Sequence, residues 1–76
     1  MEPEHAKAKA ELQELEEKIA QTIRNISELD SKMNQPEYTH SDVEIFIMNK
    51  KMEQDSLREY MAEKKQLLIR IKKLEG

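Results

Sequence analysis

Cysteine is absent from this chain, so neither a disulfide framework nor a thiolate zinc site can be built from it. Glycine occurs once, at Gly76, which leaves nothing from which to make a glycine-rich phosphate loop. The two prolines, Pro3 and Pro36, stand near the start and near mid-chain, and with so few breakers a run of short strands and turns is excluded. Aromatic residues are 4% of the sequence, too few for a compact mixed α/β core. No apolar run reaches the ~18 residues of a membrane span, and residues 1–17 hold no signal-peptide hydrophobic region. A soluble, cytoplasmic chain of one domain over 1–76 is the expectation, with no membrane association. The net charge of −3 gives no global attraction for nucleic acid.

What the chain does have is charge, 38% of its residues, arranged around apolar positions at helical spacing. Leu12, Leu15, Ile19, Thr22, Ile26, Leu29 and Met33 alternate steps of three and four without a break, and Ala8 and His5 extend the register backward. That is the narrow stripe of a coiled-coil helix. Pro36 lacks an N–H and disfavours helix at Gln35 before it, which sets a turn over residues 34–41. Ser41 and Glu44 have the spacing of a capping box, so the second helix is expected to begin at about residue 42 and to end near 74. Its principal stripe is read as Ile45, Met48, Met52, Ser56, Tyr60, Lys64, Leu67, Ile71 and Leu74. Three successive steps of four from Met52 to Lys64 suggest a local eleven-residue repeat and a relaxed supercoil there.

The expected fold is all-α: an antiparallel two-helix hairpin, coiled-coil-like, with helix one at about 4–33. Folding the chain back sets Met33 against Ile45, Leu29 against Met48, Ile26 against Met52 and Thr22 against Ser56. Further along, Ile19 meets Tyr60, Leu12 meets Leu67 and Ala8 meets Ile71. The Thr22–Ser56 layer would let two hydroxyls satisfy each other. Charge favours the same reversal, because residues 1–38 hold nine acids and five bases while 39–76 hold seven acids and eight bases. Lys64, on the stripe opposite Leu15, is expected to send its ammonium toward Glu14 or Glu11. Two helices bury little apolar surface, so assembly into a four-helix bundle or packing on a partner helix is expected.

No residues suggest chemistry. His5 and His40 are far apart in sequence with no second imidazole at ligand spacing, and exposed helical carboxylates have no low-dielectric cleft to shift their acidity. The chain is expected to be neither an enzyme nor a cofactor or metal protein. The leading expectation is a protein-interaction module of adaptor, inhibitor or co-chaperone type that forms a homo-oligomer, a dimer first, and also binds a protein partner. Its contact residues are expected on the outer face of helix two: Val43, Phe46 and Ile47 near the turn, then Leu57, Met61 and Leu68. The first alternative is a dimeric four-helix-bundle regulator that touches nucleic acid through Lys64, Lys65, Arg70, Lys72 and Lys73, although intramolecular neutralisation by Glu11, Glu14, Glu16 and Glu17 competes for those bases. The second is a structural subunit of a larger coiled-coil assembly.

Overall fold

In the computed structural model, which describes residues 3–76, the chain is a helical hairpin 55 × 15 × 13 Å in extent. Helix α1 spans Pro3–Met33 and α2 spans His40–Glu75. The two pack against each other along their length, and no strand is present among the described residues.

Pro3 opens α1, a position where its missing N–H is not needed. The helix closes as its last turn tightens, with Asn34 N–H donating to Ser31 O (3.3 Å) and Gln35 N–H to Lys32 O (3.1 Å). The Asn34 side chain adds a bond to the Asp30 carbonyl at 3.1 Å, satisfying one of the acceptors that the helix end leaves free.

Helix α2 starts two residues before the expected position. Thr39, not Ser41, is the N-cap: its backbone is extended (φ −76°, ψ 168°) and its hydroxyl accepts from the Asp42 N–H at 3.2 Å. The Asp42 carboxylate in turn accepts from the Thr39 N–H at 3.1 Å. The first helical bond runs from Val43 N–H to the Thr39 carbonyl. A box closed by Asp42 is as competent as one closed by Glu44, since each returns a carboxylate to the cap N–H. The earlier start also leaves Tyr38 just outside the helix, where its ring meets Phe46 edge-to-face at 5.0 Å between centroids.

On α1 the burial follows the expected stripe at every position. Ala8, Leu15, Ile19 and Thr22 are buried, and His5, Leu12, Ile26, Leu29 and Met33 are half-buried. On α2 the stripe differs. Covered positions recur at Val43, Phe46, Lys50, Glu53, Leu57, Tyr60, Lys64, Leu67, Ile71 and Leu74, an unbroken alternation of three and four, and Ser56 of the expected stripe is half-buried beside Leu57. Strict heptads therefore run the whole length, and the eleven-residue drift expected near Met52 does not occur.

The expected and observed stripes coincide from Tyr60 onward and separate toward the turn. Ile45, Met48 and Met52, expected in the seam, are 55%, 66% and 66% exposed. An offset of one residue turns a helical side chain by about 100°, enough to carry it out of a narrow seam. The layers Ala8–Ile71, Leu12–Leu67 and Ile19–Tyr60 keep their register. Toward the turn, the heptad frame sets Thr22 level with Leu57, Ile26 with Glu53, Leu29 with Lys50 and Met33 with Phe46. Thr22 does not depend on Ser56, because its hydroxyl donates to the Lys18 carbonyl one turn back at 2.8 Å.

Polar groups complete the seam. Lys50 Nζ lies 2.6 Å from Asp30 Oδ1 and Lys64 Nζ 4.0 Å from Glu16 Oε1, so Lys64 reaches Glu16 rather than Glu14 or Glu11. The Asn25 amide donates to Glu53 at 3.4 Å. At the open end Arg70 donates to Glu11 at 3.1 Å, and His5 Nε2 lies 3.0 Å from Glu75.

Two outcomes follow from this geometry. Cysteines at Leu12 and Leu67 are expected to crosslink within one chain under mild oxidation, whereas dominant Leu12–Leu12 products between chains would contradict the antiparallel layers. Thr39→Ala is expected to cost about 1 kcal/mol in chemical denaturation. Ser41→Ala should stay within ~0.5 kcal/mol because that side chain is exposed and outside the box.

Candidate interaction surface

The six residues expected to form one contact face do not share a face. Phe46 is half-buried against Tyr38, and Lys32 Nζ of α1 sits 5.8 Å from its ring centroid. Val43 and Leu57 are also half-buried and belong to the seam repeat. Ile47, Met61 and Leu68 remain outside, at 54%, 53% and 45% exposure. The expected patch is therefore split: three of its members close the hairpin and three stay on the surface. The reason is the displaced seam, which takes Phe46 inward and sends Ile45 and Met48 outward.

Six of the exposed large apolar residues form two groups, with Ile69 apart from both near the open end of α2. Ile45, Met48 and Met52, at steps of three and four, make a short strip on the side of α2 turned away from α1, in its turn-proximal half. The second group is Ile47, Met61 and Leu68, one residue after Phe46, Tyr60 and Leu67 of the seam. It runs beside the interhelical groove from near the turn toward the open end, where Leu68 shares a depression with Lys9, Leu12, Glu16 and Ile71. On α1, Ile23 follows Thr22 by the same one-residue offset and is also exposed. The sequence reading missed the Ile45–Met52 strip because it assigned that strip to the core. A search for uninterrupted heptads that tolerated charged members would have found it.

The basic cluster is divided as well. Lys64 is part-covered in the seam beside Glu16, and Arg70 is held by Glu11. Lys65, Lys72 and Lys73 are exposed, with Lys65 and Lys72 seven residues apart on one side of the helix. The five bases thus occupy several directions around α2 and do not make one phosphate-binding row. The grooves between the helices are open-sided in a molecule only 13 Å thick. Among the described residues, no three His, Asp or Glu side chains gather in a way that could hold a metal ion. No helix among them is long and apolar enough to cross a membrane.

Comparison with protein-family models, with curated proteins and with solved structures returned no match. The surface is therefore read from its own chemistry, and the distinction between covered Phe46 and exposed Met48 gives the first check. Phe46→Ala is expected to lower stability by about 1–2 kcal/mol, part of the full cost of an aromatic truncation because the ring is only half-covered. Met48→Ala and Met52→Ala should each change it by less than ~0.5 kcal/mol. Urea titrations of the three variants make the comparison.

Proposed function

We propose that this chain is a non-catalytic helical-hairpin interaction module, acting in the cytoplasm, that binds a protein partner through the exposed side of α2 and also self-associates. The observation that supports this reading is the distribution of apolar surface. Among the described residues, eight large apolar side chains stay between 44% and 66% exposed, and seven of them, all but Ile23, are on α2. Fewer large side chains than that are buried: Leu15, Ile19 and Ile71, with small Ala8 and Thr22 completing the buried set among the described residues. A helix apolar on more than one side covers more than one neighbour, and a contiguous exposed patch of this kind marks a contact surface. The turn-proximal strip of Ile45, Met48 and Met52 is the place for a second copy, and the strip through Met61 and Leu68 the place for a partner.

The nucleic-acid reading has less support, since Arg70 and Lys64 already reach acids of α1.

Sedimentation and affinity capture test the proposal. Met48→Glu with Met52→Glu is expected to shift the chain toward monomer at high concentration. Met61→Glu with Leu68→Glu should remove captured partners while helix content by circular dichroism stays unchanged. Unaltered sedimentation and unaltered capture for both pairs of substitutions would overturn the proposal.

A further inference from the structure

Helix α2 carries a second seven-residue repeat beside the one that faces α1. Ile47, Gln54, Met61 and Leu68 are spaced by sevens, and Lys51, Arg58, Lys65 and Lys72 fall between and after them at alternating steps of four and three. All eight positions are exposed. Because this repeat has the same period as the seam, it stays at a fixed angle to α1 over roughly 38 Å, the length of its 26 residues at 1.5 Å per residue.

The bases in this row differ from the other bases of α2. Lys50, Lys64 and Arg70 each reach an acid of α1. Among the described residues, Lys51, Lys65 and Lys72 have no carboxylate within ion-pair distance, and Arg58 meets only Asp55, at 4.0 Å. Their neighbours one turn away are wholly apolar at Lys65, where Met61, Ala62, Leu68 and Ile69 surround it, and mixed at the other bases, with Ile47, Met48, Gln54 and Asp55 beside Lys51 and Leu68, Ile69 and Glu75 beside Lys72. Positive charges set in an apolar strip and left unpaired are a selective surface, because an apolar partner would strand them and a basic one would repel them.

We infer that this strip docks an acidic amphipathic helix of another protein, one with apolar and Glu or Asp residues alternating at heptad spacing. The inference rests on the interaction-module reading above and names the chemistry of its partner. A bilayer responds to which side of a helix is apolar but not to a seven-residue register, and it favours bases at the border of the apolar face rather than in its middle. Nucleic acid would meet apolar rows on both sides of the bases. In a second copy, Glu11, Glu16 and Asp30 of α1 are already engaged by Arg70, Lys64 and Lys50, and the exposed Glu14, Glu17 and Glu28 stand among polar residues and alanines rather than alternating with large apolar ones. Strip against strip would set bases against bases.

The probe is a labelled four-heptad synthetic peptide with Leu and Glu alternating at the seam positions, titrated with the full chain at about 0.1 M salt. A matched peptide with Lys in place of Glu, and vesicles containing phosphatidylserine, are the comparison arms. The acidic peptide is expected to bind, the basic peptide and vesicles not. Lys51→Glu with Lys65→Glu should weaken the acidic peptide roughly tenfold or more and let the basic peptide bind instead. Equal binding of both peptides, no binding of either, preference for vesicles, or no charge reversal in the variant would each overturn the inference. Sedimentation of the chain alone distinguishes a second copy: loss of self-association in the Lys51, Lys65 variant would assign the strip to dimer formation and also overturn it. Failure here is separable from failure of the interaction-module reading, which would instead leave both sedimentation and capture unchanged on Met48→Glu with Met52→Glu and on Met61→Glu with Leu68→Glu.

Discussion

Three polar side chains inside the seam, Lys50, Glu53 and Lys64, decide how the two helices can lie against each other. Each sits at a position where a coiled coil ordinarily has an apolar residue, and each finds a partner on α1 in Asp30, Asn25 or Glu16. A slip of one residue would leave those partners unmet. Because the ion-paired groups are a third to a half exposed, each pair adds little net stability, about 0–1 kcal/mol. The polar members therefore act on register more than on total stability, while the apolar layers between them hold the helices together.

That constraint has a consequence for the surface. With Lys50 and Glu53 in the seam, α2 must be rotated so that Ile45, Met48 and Met52 point away from α1. The hairpin accepts exposed apolar surface in its turn-proximal half in exchange for a matched polar register. The T-shaped pair of Tyr38 and Phe46, with Lys32 over the Phe46 ring, closes that end of the molecule in place of the methionines. Exposure of α2 and order at the turn thus have one cause.

The second repeat on α2 follows from the same geometry. Once one heptad stripe is committed to α1, any other residues with the same period are held in a parallel strip along the rod. Ile47, Met61 and Leu68 with their intervening bases satisfy that condition. A rod with two such strips on one helix leaves apolar surface outside its seam, and the proposed interaction role draws on that arrangement rather than on any pocket.

The all-α hairpin, the position of its turn and the whole α1 stripe were legible in the amino-acid sequence. Local forces set them: an unbroken apolar alternation from His5 to Met33, the backbone limits imposed by Pro36, and charge that favours chain reversal. The open half of the seam was legible too, because Tyr60, Leu67, Ile71 and Leu74 are both apolar and in register. Nearer the turn the most apolar stripe and the true seam diverge, and composition alone favours the wrong one. The cap likewise fell at Thr39 rather than Ser41, two positions with boxes of equal competence that spacing does not separate. Only the tertiary structure could make these choices, because a lysine or glutamate counts as a seam residue only when a specific group on the other helix lies within reach of its charge.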